Sequence, residues 1–229
     1  MSIVNPDFIK PIFPIVETAP GEFTHQIPEA MHPGFIRGDG EANEKAKRVL
    51  TFGMDELTKL NVGRVKGDPN HNDQIGRSFN EIGNAITEAR TALKGDEKRL
   101  TDGLVEKTGF KVDPAMMALV VGTFQAMPPQ DHPAAIAALI DEGDGGTLAI
   151  LHKMSGVLTK VAGNLKATIE PQLFRKADPD AYARLENTRF NLGRIERASI
   201  ETANACAAFS APMHKAANEP QPVHKSVAG

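Results

Sequence analysis

The chain has 229 residues, 41% of them hydrophobic and 24% charged, with one cysteine, no tryptophan and a formal net charge of −3. This composition excludes wholesale disorder and an internal disulfide. Residues 41–229 carry 24 basic and 24 acidic side chains, so they lack the positive excess on which generic nucleic-acid binding depends.

Residues 1–40 hold six of the sixteen prolines together with many large apolar residues, among them Phe8, Phe13, Phe23 and Phe35. Proline fixes φ and removes a backbone donor, so this stretch cannot be a regular helix or a central strand. It is also too apolar for a solvated linker, and it reads as an extended arm that must lie on protein, either its own domain or a neighbouring subunit. The arm lacks the basic start and unbroken apolar run of a secretory signal, so a cytoplasmic location, or one inside an assembled particle, is expected.

From Glu41 to about Leu60 the apolar residues have helical period, and a polar loop is expected from Gly63 to Asp73. Ile75, Phe79, Ile82, Ile86, Ala89 and Leu93 then form one stripe at spacings of three and four. A separate short helix is expected over Glu97 to Lys107, capped at Gly109. Asp113-Pro114 has the chemistry of a helix start, and the helix PAMMALVVGTFQAM that follows is apolar nearly all round until Pro128. Such a helix is expected in the middle of a core, paired as a buried hairpin with His132 to Gly143. A membrane-inserting hairpin is the alternative, although the longest apolar run is far below the roughly twenty residues that span a bilayer.

After a Gly-rich hinge at Gly143 to Gly146, Leu148, Leu151, Ser155, Leu158, Ala162, Leu165 and Ile169 predict one helix ending near Pro171. Asp178-Pro179 starts the last helix, where Ala181, Leu185, Thr188, Leu192, Ile195, Ser199, Thr202, Cys206 and Phe209 keep a heptad stripe. Its second, mixed stripe of Phe190, Gly193, Arg197, Ile200, Asn204 and Ala207 implies a central helix or one covered by a second chain. The resulting expectation is an all-α bundle of about six or seven helices. Its parts are an arm (1–40), a helical subdomain (41–146), a long-helix pair completing the bundle (147–211) and a polar tail (212–229).

Chemistry-bearing motifs are weak. Asp68, Asn70 and Asn72 alternate as in a calcium loop, but Asp73 stands where that loop needs glycine and Phe79 where it needs a bidentate glutamate, so a polar turn capping the next helix through Asn72 is the better reading. No histidine pair has i, i+4 spacing, and no phosphate loop, nucleophile elbow or cysteine-protease signature occurs. Cys206 reads as a small buried hydrophobe. No catalytic, cofactor or metal residue is therefore assigned.

Residues 147–211 carry nine basic and six acidic residues, opposite in sign to the arm with its two basic and five acidic. Contact between the two, within or between chains, is expected. The candidate partner-binding residues are Phe8, Phe13, Phe23, Phe35, Phe190, Arg194, Arg197 and Ile200. The leading expectation is a non-enzymatic assembly subunit, as in a virion, with homo- or hetero-oligomeric protein partners and no nucleic acid or membrane. A helical binding or effector module for one protein partner is the alternative. An enzyme with a site between helices, around His152 and the acids from Asp141 to Asp144, is the third.

Overall fold

The computed structural model describes residues 15–19, 22–25, 28–66 and 68–210. Its core is all-α, with eight α-helices among these residues: α1 (Glu41–Lys66), α2 (His71–Thr108), α3 (Met117–Ala126), α4 (His132–Glu142), α5 (Gly145–Lys153), α6 (Gly156–Thr159), α7 (Gly163–Ala177) and α8 (Pro179–Ser210). Two strands, β1 (Ile15–Ala19) and β2 (Glu22–His25), form an antiparallel hairpin with an irregular register between Glu17 and Ala19. Both strands are edges, which is where a proline-flanked segment can pair.

The departures from the expected helices have local causes. The polar loop is shorter than Gly63 to Asp73, because α1 runs on to Lys66 and α2 already begins at His71. A single glycine costs a helix only about 1 kcal/mol and does not end it. The break comes at Asp68-Pro69, where the Asp68 carboxylate accepts from the Asn70 backbone N–H at 2.8 Å and from Gln74 Nε2 at 2.8 Å. The side chain that organises this turn is thus Asp68, and Asn72 lies exposed within α2.

The short helix expected at Glu97 to Lys107 is the continuation of α2. Gly95 is absorbed because α8 braces this stretch: Thr188 Oγ1 donates to Asp96 Oδ2 at 3.2 Å, and Arg189 pairs with Glu97 at 3.1 Å. Conversely, the helix expected from Leu148 to Ile169 is divided into α5, α6 and α7. Ser155 turns the chain by accepting from the Val157 N–H, and Lys160 takes a left-handed conformation with φ of 55°. Pro171 stands inside α7 instead of ending it. The backbone bond it forgoes is offset by burial of Ile169, Leu173 and Phe174 on the same helix.

Two hydrophobic clusters are strung along the two long helices. In the first, α1, the N-terminal part of α2 and the C-terminal part of α8 bury Leu50, Leu57, Ile82, Leu93 and Ile195. In the second, α3 to α7 gather around Leu100 and Leu104 of α2 and Tyr182 and Leu185 of α8. Gly143 to Gly146 is the tight link between α4 and α5, both of which pack in the second cluster, and only Gly145 of the four is buried. Gly143 caps α4 with φ of 76°, the Asp144 carboxylate accepts from Thr147 N–H at 3.0 Å, and a Cβ on Gly145 would fall 2.0 Å from the Thr108 carbonyl oxygen.

Part of the expected arm lies on its own domain, in the first core. Two 3-10 turns, Glu29–Met31 and Pro33–Phe35, lay residues 28–36 against α1 and α8, burying Ala30, Met31 and Ile36. Met31 is wholly buried against Gly53 of α1, and its sulfur lies 3.4 Å from Thr202 Oγ1 of α8, whose hydroxyl donates to the Ala198 carbonyl at 2.8 Å.

The largest correction concerns α3. The helix expected in the middle of a core lies at the surface, with Val120 and Phe124 buried on one side. Its other side exposes Met116, Ala118, Leu119, Gly122, Thr123 and Ala126, with no charged residue from Met116 to Met127. Asp113 caps only the preceding turn, accepting from Ala115 N–H at 2.9 Å, and α3 starts at Met117.

Candidate partner-binding surfaces

The first surface is the meeting of residues 28–37 with α8. Asn191, fully buried, is the clamp: its carbonyl oxygen accepts from the Arg37 N–H at 2.9 Å, and its amide donates to the Arg37 carbonyl at 2.8 Å and to Asn43 Oδ1 at 2.9 Å. With Arg37 so fixed, its guanidinium lies 3.6 Å over the Phe190 ring. Arg194, one turn on, stacks 4.3 Å over Phe35 and donates through Nη2 to the Glu29 carbonyl at 3.4 Å, while its buried Nε has no partner. His32 completes the group, edge-on to Phe35 with ring centroids 5.7 Å apart.

The expected contact between acidic arm and arginine helix is therefore present within one chain, but it runs through rings and a backbone carbonyl more than through carboxylates. Stacking on aromatic faces is one of the properties that separate arginine from lysine. Phe35, Phe190 and Arg194 are brought together and engaged with each other's segments. Arg197 pairs with Glu201 at 2.7 Å, a bond that lets the Glu201 carboxylate lie buried. Ile200 faces outward at 64% exposure. Phe23 lies on β2, paired in register with Glu17, and Phe8 and Phe13 lie outside the described residues. The outward stripe of α8 therefore keeps Gly193, Arg197, Ile200 and Ala207 exposed, and among the described residues no neighbouring helix covers them.

The second surface was missed by residue patterns. Helices α3 and α6 lie against each other, joined at one end by Lys160, whose ammonium donates to the Gln125 carbonyl at 2.8 Å. Together they expose Met116, Leu119 (63%), Val157 (88%) and Leu158. The signal available in the sequence is the absence of charge around α3, which a core helix and a covered surface helix share. A short α6 gives α3 too little cover to bury both of its sides.

The residues proposed for chemistry are held by structural contacts. His152 Nδ1 lies 3.1 Å from the Lys166 carbonyl, its ring is edge-on to Phe110, and Nε2 is 4.0 Å from Glu170, which also pairs with Arg189 at 3.2 Å. Asp141 pairs with Lys176 at 2.6 Å, and Asp144 caps α5. Burial pushes the Lys166 ammonium below the ordinary lysine value, and its donor goes to the Met154 carbonyl. Burial likewise pushes the Cys206 thiol up to about 11, so it is a poor nucleophile at neutral pH. A shallow groove of about 500 Å³ lies between the starts of α4 and α7, lined by Pro129, Pro133, Asn164, Thr168 and Gln172. His132 at its edge is buried, with Nε2 3.1 Å from the Phe124 carbonyl. Among the described residues, no three His, Cys, Asp or Glu side chains converge as a metal site would require, and no helix is long and apolar enough to cross a membrane. Compared with protein-family models, curated proteins and solved structures, the chain matches none.

Proposed function

We propose that the chain is a non-enzymatic building block of a multi-protein assembly, a virion being one such setting, with its N-terminal arm lying on neighbouring subunits. The observation that carries this reading is the uncharged outer side of α3, set beside Val157 and Leu158 of α6. Covering the exposed parts of Met116, Leu119, Val157 and Leu158 is worth roughly 4–7 kcal/mol before the cost of association is deducted. Contiguous apolar surface of this kind marks interaction sites.

A second reading keeps the chain as a binding module for one protein partner. It is favoured by the outward stripe of α8, where Ile200 is 64% exposed beside Arg197. It is weakened by Phe190 and Arg194 being engaged with Arg37 and Phe35 of the same chain. Light scattering over a range of concentrations separates the two. The assembly reading expects multiples of 24.6 kDa at high concentration. A purified chain that stays at 24.6 kDa at every concentration argues against self-assembly and for the module.

A further inference from the structure

Resting on that assembly reading, we infer that the outer side of α3 and α6 is the acceptor for residues 1–14 of a neighbouring copy. The donor segment, MSIVNPDFIKPIFP, sets Ile3, Val4, Phe8, Ile9, Ile12 and Phe13 against a single acid, Asp7, and a single base, Lys10. Pro6, Pro11 and Pro14 interrupt its backbone donors, so it cannot extend the β1–β2 hairpin by regular strand pairing. It needs a surface that offers side chains and asks for no backbone bonds. A helix face is such a surface, because its amides and carbonyls are bonded along the helix.

Within the first cluster, the groove between α1 and α8 is filled by the chain's own residues 28–36. The uncharged side of α3 lies in the other cluster. The described chain starts at Ile15, in a hairpin whose β2 runs beside α1. Fourteen extended residues reach at most about 46–50 Å, enough to leave the hairpin and lie along a second molecule. Donor and acceptor are different patches, so each junction is head to tail and one copy can both give and receive.

The test uses two variants of the full chain. Phe8→Asp/Phe13→Asp spoils the donor, and Leu119→Asp/Val157→Asp spoils the acceptor at side chains 63% and 88% exposed, where a charge does not enter the core. Leu119→Lys is read in parallel, and far-UV circular dichroism checks that every variant keeps the parent's helix content. By light scattering the parent assembles, each variant alone runs at 24.6 kDa, and an equimolar mixture of the two forms a species of twice that mass, because one intact donor meets one intact acceptor.

Acceptor variants that assemble like the parent, while the donor variant does not, overturn the inference and leave the assembly reading standing. The same holds for a mixture that stays at the mass of one chain. A donor variant that still assembles overturns both the inference and the role of the arm. A parent that never exceeds one chain overturns the assembly reading itself.

Discussion

Replacing Gly53 with alanine should have opposite effects depending on what occupies position 31. In the parent, alanine in the middle of α1 gains about 1 kcal/mol of helix propensity. The new Cβ, however, would lie 2.2 Å from Met31 Cε, closer than any real contact, and Met31 is fully buried. Forcing Met31 from its rotamer costs about 1–3 kcal/mol, so Gly53→Ala should be neutral to about 2 kcal/mol destabilising. Met31→Ala alone should cost about 2–5 kcal/mol through the cavity it leaves. In that background the nearest remaining atom is Ile82 Cγ2 at 3.4 Å, an ordinary contact, so Gly53→Ala should now stabilise by about 1 kcal/mol. Urea unfolding of the four proteins, followed by far-UV circular dichroism, gives a coupling of about 1–3 kcal/mol. An effect of Gly53→Ala that is the same in both backgrounds would refute the seating of residues 28–36 between α1 and α8.

Three other outcomes follow from single sites. Gly145→Ala should cost on the order of 3 kcal/mol or more in urea unfolding, because the atom it strikes is the Thr108 backbone; Gly146→Ala, which meets only Asp144 Oδ1 at 3.6 Å, should fall within about 1 kcal/mol of the parent. The Asp178 carboxyl is held below its ordinary value of 3.8, first by the Ala181 N–H at the start of α8 and then by Lys107. Its contribution is thus complete above that value and lost as pH falls through the lower folded one. The stability difference between the parent and Asp178→Ala should therefore shrink on acidification, and a difference independent of pH would contradict this. With its thiol near 11, Cys206 is roughly one part in a thousand thiolate at pH 8, so native labelling by a thiol reagent should be on the order of a hundredfold slower than labelling in urea.

The long amphipathic helices were legible because their stripes are regular over many turns. Ile75, Ile82, Ile86, Ala89 and Leu93 of α2 and the heptad of α8 face the cores as expected, but Phe79 is exposed at 42% with Ser78 buried in its place, and Ala198 is buried in place of Ser199. Gly109 as a left-handed cap and Asp178-Pro179 as a helix start were also readable, since each rests on local backbone chemistry. Helix continuity was less so. Gly95 and Pro171 look like breaks in isolation and are overridden by packing against α8 and within the second cluster.

The buried polar residues were not legible either. Nothing in the pattern around Asn191, Lys166 or Glu201 distinguishes them from solvated neighbours, because their partners (Arg37 and Asn43, the Met154 carbonyl, and Arg197) are defined only by the fold. For the candidate surfaces, the sequence identified residues that could bind a partner but not which of them this chain already occupies. Phe35 and Phe190 are stacked on by arginines of the same chain, while Ile200 of α8 and the uncharged outer side of α3 are open.

Peroxide oxidation of individual methionines, read by mass spectrometry at low and high protein concentration, tests the claim that another chain covers α3. Met116, on the exposed side, should oxidise readily when the protein is dilute and severalfold more slowly once it assembles, while buried Met31 stays protected throughout. Equal oxidation of Met116 in the dispersed and assembled protein would contradict the account.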